Sequence, residues 1–357
     1  MSKLKRLKVL YKRYEGVLIP LALFFGFATD VLTFRLIEFT TSMVFLLCHL
    51  IFAGLNIVVI NYFKDKRPES KFTSYWNLFA PLFVQFSFGN LFSGFLIFYS
   101  QSGSFFASWP FLLVVIGLLA GNEIARRYDV GPSIQIGAYF FALFSYLNLA
   151  LPYISKRLGW GIFFISGILS LLIIVSFIYY LSKYSKTVKK EMKTLKRVVG
   201  GVFIIMNLLY FQNLIPPIPL TLKDIGVYHS IERINDNYRV ITEEPGGFFG
   251  VGREVRHISS ERDRIYLYSA INAPSGMNLN LVHEWQKRTD QRGWETRARI
   301  PFNIQGGRDI GFRWFSYYNV DPGLWRVTIQ TEGGQVIGRK NFKIKRSENG
   351  NRILNTI

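Results

Sequence analysis

Cysteine is almost missing from this 357-residue chain: Cys48 stands alone, inside an apolar run. No intrachain disulfide can form, so each folded part must be held by its own core. Histidine is scarce, with four residues. The signatures Gly-x-Ser-x-Gly, His-Glu-x-x-His and Cys-x-x-Cys are absent, which removes the common hydrolase, metalloprotease and dithiol readings. Gly246-Gly247-Phe248-Phe249-Gly250-Val251-Gly252 is only loosely like a phosphate loop. It lacks the Lys-Ser/Thr ending and reads as a flexible turn. His229, His257 and His283, even with Glu254 or Glu284, have wide and irregular spacing that gives no metal signature. No metal or cofactor is therefore expected, and the sequence points to binding rather than catalysis. Acidic residues are few, 23 against 43 Lys and Arg, for a net charge of +20.

Long apolar runs are also missing, but only after residue 216. Before it they recur at membrane-spanning length, and a hydrocarbon core needs about 20 apolar residues per helix. Seven spans are expected, at 17–34, 40–62, 78–99, 108–125, 133–151, 161–181 and 199–215. The seventh is the weakest, holding Gly200, Gly201, Asn207, Gln212 and Asn213. Loops on the N-terminal side carry 19 Lys and Arg, whereas the opposite loops carry only Arg35, Lys156 and Arg157. That asymmetry places the N-terminus in the cytoplasm and, with an odd number of spans, residues 222–346 outside it. It also accounts for the charge: residues 1–220 hold +14 and the remainder +6. Nucleic acid is thereby excluded as the partner, and membrane lipids are the expected neighbours. Lys183 to Arg197 is expected to extend the sixth helix along anionic headgroups. Within the spans, Asp30 and His49 are ionisable. An intramembrane charge is a functional hypothesis, so a transporter or membrane enzyme working inside the bundle is the alternative reading.

The expected organisation is a basic N-terminus (1–16), a helical membrane domain (17–215), a proline-rich linker (216–221), an all-β region (222–346) and a flexible tail (347–357). In the β region Arg264–Ile271, Asn278–Lys287, Trp294–Pro301, Asp309–Ser316, Leu324–Thr331 and Gln335–Ile344 alternate with period two, as half-buried strands do. Trp325, Val327 and Ile329 share one face of their strand. Six or more such strands suggest an immunoglobulin-like sandwich with Trp285, Trp294, Trp314 and Trp325 in its core. Residues 221–357 hold sixteen arginines against five lysines, interleaved with aromatics. Arginine forks recognise carboxylates and phosphates, so Arg297, Arg299, Arg308, Arg313 and Arg326 are the candidate ligand-binding residues. The expected ligand is an anionic envelope glycan or a protein partner.

The run Trp285…Trp294…Pro301…Gly307-Arg308…Gly311-Phe312-Arg313-Trp314-Phe315-Ser316…Pro322-Gly323-Leu324-Trp325-Arg326-Val327…Gly334-Gln335-Val336-Ile337-Gly338-Arg339…Phe342 resembles the bacterial domain of unknown function 2914. Asn213–Leu220 is also similar to the membrane-anchored members. The resemblance covers about 280–345 and implies a bacterial envelope protein with a small β domain; together with the spans, the expected protein is a polytopic one of the bacterial inner membrane. It implies no activity.

Overall fold

The computed structural model describes residues 30, 39–64, 71–101, 105–125, 131–217, 219–235, 237–243, 254–258, 263–307, 310–346 and 352–356. Apart from Asp30, the expected first span lies outside these residues, as do Gly246–Gly252 and Arg308. The chain divides into two compact units. The first comprises Met1–Phe98, Pro110–Ala150 and Phe164–Leu208; the second comprises Tyr99–Trp109, Leu151–Phe163 and Leu209–Ile357.

The helices are α1 (Phe39–Lys64), α2 (Lys71–Gln101), α3 (Phe105–Ala125), α4 (Pro132–Ser155), α5 (Trp160–Tyr184), α6 (Lys186–Lys190) and α7 (Met192–Phe211). Five are long and apolar enough to cross a membrane: α1, Phe79–Ser100 within α2, α4, α5 and α7. In α3 the apolar stretch, Ser108–Asn122, is shorter. Some hydrogen bonds in the first unit run between helices. Trp76 Nε1 donates to Asn56 Oδ1 at 3.2 Å, and Asn122 Nδ2 to the Gln85 carbonyl at 2.9 Å. Such bonds hold apolar helices together where hydrophobic burial cannot. Aromatic pairs do the rest: Tyr139 with Phe177, Phe144 with Phe203, and Phe141 with Phe92 and Phe111. Helix α4 begins on Pro132, whose missing N–H costs nothing at that position. The Glu191 carboxylate accepts from the Ser133 N–H at 3.2 Å, placing a negative charge at the positive end of α4.

The basic segment does not extend the sixth helix. Helix α5 stops at Tyr184, and Ser185 turns extended (φ −118°, ψ 117°), accepting from the Val188 N–H. The short α6 follows, Glu191 breaks it, and α7 begins at Met192. A serine that caps a new turn competes with helix continuation.

Among the described residues, the second unit carries eleven strands: β1 (Thr221–Tyr228), β2 (Ser230–Ile234), β3 (Asn237–Glu243), β4 (Glu254–Ile258), β5 (Asp263–Asn272), β6 (Asn278–Thr289), β7 (Gly293–Gln305), β8 (Phe312–Val320), β9 (Gly323–Thr331), β10 (Val336–Arg346) and β11 (Arg352–Thr356). They form three sheets, ordered β1-β5-β8, β4-β10-β9-β6-β7 and β11-β3-β2. The first two share one apolar cluster. Val227, Ile265, Leu267 and Ile271 enter it from one sheet, and Leu281, Trp285, Trp325, Val327, Ile329 and Phe342 from the other. Period-two alternation puts these residues on the inner faces and leaves every second residue outside. A second, smaller cluster joins Ile231, Tyr238 and Val240 to Tyr268 and Ala270.

Two expectations change here. Residues 352–356, read as part of a flexible tail, form β11, antiparallel to β3 with Leu354 opposite Ile241. Trp294 does not belong to the core. Trp285 and Trp325 are buried and Trp314 stacks on Phe302 at the core margin, whereas Trp294 sits on the outer face.

Candidate functional site

The outer face of the five-stranded sheet gathers arginines from four strands. One row runs Arg299 on β7, Glu284 on β6, Thr328 on β9 and Arg339 on β10, each opposite the next. The adjoining row runs Thr296, Gln286, Arg326 and Asn341, and the next pairs Trp294 with Arg288. Four guanidinium groups thus project from one surface around a single carboxylate of these rows, Glu284. That carboxylate already accepts from Thr296 Oγ1 at 2.9 Å and Gln330 Nε2 at 3.2 Å.

Arg326 sits at the middle of this surface. Its guanidinium lies 4.0 Å from the centre of the Trp294 ring, and its Nε donates to Asn341 Oδ1 at 2.9 Å. Partial burial, then the charges of Arg339 and Arg288, pull Arg326 below the ordinary guanidinium range; burial does the same to Arg339, against the pull of Glu284. Both stay charged at neutral pH, because arginine starts so high. A crowded set of like charges is relieved by an anion with several oxygens, and the stacked ring holds one fork in place for it.

The five candidate arginines do not share one face. Arg299 and Arg326 belong to the surface just described. Between Trp285 and Gln286 the β6–β7 register shifts, which makes Arg297 the extra residue of a bulge. Arg297 turns away and pairs with Glu295 at 3.0 Å. Arg313 lies on the other sheet, 5.3 Å from the centre of the Tyr238 ring. It also hydrogen-bonds Tyr268, whose phenol burial pushes up to about 12 against the pull of that arginine. Arg288 was missed by sequence reasoning. Its signal was its place opposite Trp294 across a hairpin. In the apolar helices, half-buried Asp30 lies beside Ser93, while His49 is held edge-on by Phe45 and Phe86 at 4.4 and 5.4 Å.

Two histidine clusters lie elsewhere in the second unit. Buried Glu243 bridges two rings: Oε1 is 2.6 Å from His229 Nε2, and Oε2 is 2.7 Å from His257 Nδ1. The His257 N–H also donates to Oε1 at 2.8 Å. Burial pushes the Glu243 carboxyl up, but the hydrogen bonds from His257 and His229 outweigh it and hold the group below its usual range. His283 stands apart in the core, with Nε2 3.0 Å from Ser269 Oγ and Nδ1 2.8 Å from Ser316 Oγ. The Trp285 indole N–H donates to the same Ser316 oxygen at 3.1 Å. Burial drives the His283 imidazole down to about 3, so it is neutral and structural at physiological pH.

No curated protein matches the chain. Among solved structures, a β-glucosidase from Listeria innocua overlaps 38% of this chain and 17% of its own, at 10% identity and a TM-score of 0.21. One from Kluyveromyces marxianus overlaps 37% and 15%, at 6% identity and a TM-score of 0.17. The chain therefore spans under a fifth of the length of those enzymes. The Pseudomonas fluorescens alkylpurine DNA glycosylase AlkC overlaps 83% and 97%, at 10% identity and a TM-score of 0.21. Scores this low assign neither fold nor activity. Residues 278–344, which contain β6 to β9 and most of β10 and so the whole arginine face, match the family described as a protein of unknown function (DUF2914).

Proposed function

We propose that this is a multi-pass bacterial inner-membrane protein that binds an anionic envelope ligand or partner on the outer face of its five-stranded sheet. In this reading seven spans cross the membrane: the five long helices, the shorter stretch in α3, and residues 17–34. The N-terminus is cytoplasmic and the β region, an immunoglobulin-like pair of sheets, lies outside the cytoplasm. The charge asymmetry of the loops supports that orientation. The role is recognition rather than catalysis.

The observation that carries the proposal is the crowding of Arg288, Arg299, Arg326 and Arg339 around one satisfied carboxylate, with Trp294 stacked on Arg326. The test is the thermal midpoint of the purified full-length protein in detergent, titrated with peptidoglycan fragments and anionic envelope glycans at low and moderate salt. A ligand at 100 times its Kd adds about 2.7 kcal/mol of stability. The expected result is a salt-sensitive rise that the Arg288→Ala/Arg326→Ala/Arg339→Ala variant loses. An equal rise in the variant would rule out this face.

A further inference from the structure

A cavity of about 750 Å³ lies within the second unit, apart from the arginine face. Its wall is built from the loop after α4, the residues just past α7, the first residues of β6 and the β9–β10 turn. The size is that of a site for a small organic molecule. Its lining is chemically mixed in a particular way. Lys156 and Arg157 supply two cations, Glu332 one carboxylate, Asn213 and Asn280 carboxamides, and Trp160 an indole.

The wall is held in place. Lys156 has φ +56° and Asn213 φ +57°, left-handed conformations that non-glycine residues seldom adopt. At Asn213 the turn ends α7 cleanly: its N–H bonds the Tyr210 carbonyl at 2.9 Å, and the Leu214 N–H bonds Leu209 at 2.9 Å. Leu158 packs against the main apolar cluster, which anchors the loop between the two cations and Trp160. Lys156 Nζ rests 4.2 Å from the centre of the Tyr153 ring.

The cavity also sits where two apolar helices end. Trp160 opens α5 and Phe211 closes α7, and the two residues are 72% and 67% exposed. Indole at the mouth of an apolar helix is what a bilayer interface favours. An occupant that fits all of this carries a phosphate for Lys156 and Arg157, a primary ammonium for Glu332, and apolar tails to cover Trp160 and Phe211. We propose that this cavity binds the headgroup of a zwitterionic aminophospholipid. Both headgroup charges are matched, and the carboxamides satisfy the remaining phosphate oxygens and ammonium protons. The site would keep one lipid at a fixed place on the protein.

The proposal rests on reading α5 and α7 as membrane spans. Retention of the protein in carbonate-washed membranes checks that separately. The lipid test is native mass spectrometry of the full-length protein in detergent, titrated with phosphatidylethanolamine, phosphatidylcholine and phosphatidylglycerol. Phosphatidylethanolamine is expected to bind best. Lys156→Gly, which keeps the left-handed backbone, combined with Arg157→Ala should weaken all three lipids, by about tenfold for phosphatidylethanolamine. Glu332→Gln should abolish the preference for ethanolamine over choline while leaving phosphatidylglycerol bound. Equal affinity for the three lipids, or an unchanged preference in both variants, would overturn the proposal. So would displacement of the lipid by an equimolar amount of soluble glycerophosphoethanolamine, which would assign the cavity to a free metabolite. Arg157 is exposed, so Arg157→Gln offers a conservative variant should Lys156→Gly disturb folding.

Discussion

An imidazole between two serine hydroxyls occupies the centre of the β region, and its chemistry makes stability depend on acid. His283 is held near 3 in the folded protein, below the ordinary 6.5 it regains on unfolding. Between those values the unfolded chain binds the extra proton, so stability rises with pH through that window. The contribution is complete above about 6.5 and is lost as the pH falls. Glu243 acts in the same sense: its folded carboxyl lies below 4.5, so its contribution is lost in stronger acid. His283→Gln can still bond Ser269 and Ser316 but cannot titrate. Its thermal midpoint should fall less steeply than that of the natural protein from pH 6.5 downward; parallel curves would show that His283 does not titrate on unfolding. Arg326→Ala makes a different kind of prediction. It loses one stacking contact and one exposed hydrogen bond, about 0.5–1 kcal/mol for the former. Urea denaturation should therefore change little while anion binding disappears. A loss well above 2 kcal/mol would make Arg326 a folding residue instead.

At the scale of elements, two turns and an edge decide what can be changed. Gly306 follows β7 and donates to the Met277 carbonyl at 2.9 Å, and Gly307 (φ +93°) donates to Ala273 at 2.9 Å. A methyl group on Gly306 would run into the Pro274 carbonyl oxygen, which is backbone and cannot swing aside. Gly306→Ala should cost about 1–3 kcal/mol, read from chemical denaturation; a neutral result would mean the two loops are not in contact. Strand β11 covers one edge of β3. Truncation after Arg346 strips that edge of its hydrogen-bonded partner and should lower the thermal midpoint and promote association through the bared strand. Unchanged behaviour would mean that β11 adds nothing. Of these features the sequence showed the long strands, because their inner faces alternate without interruption, as Trp325, Val327 and Ile329 do. It did not show β11, whose five residues become a strand through pairing with β3 rather than through a pattern of their own. Nor did it show the bulge. Counting by twos puts Arg297 and Arg299 on one face, and one inserted residue separates them. Glu243, His229 and His257 sit on or beside three strands and meet only once the register is set.

At the scale of the molecule, the apolar helices were legible because no soluble core needs runs of such length. The arginine face was half legible, since composition shows an excess of arginine without showing which strands lie side by side. Orientation can be checked directly. Protease added to intact spheroplasts should digest the β region and spare the Lys183–Arg197 segment; the reverse pattern would invert the topology. The sheet order carries a consequence for how the chain is made. Strand β4 lies parallel to β10, with Val255 opposite Lys343, and β3 has β11 on one side. Both early strands must wait for partners synthesised much later, 88 residues on for Val255 and Lys343 and 113 for Ile241 and Leu354, and pairing over such separations is intrinsically slow. A nascent chain halted after β9 would hold β4 and β3 with bare edges, needing either a chaperone or an empty neighbourhood until the final stretch emerges.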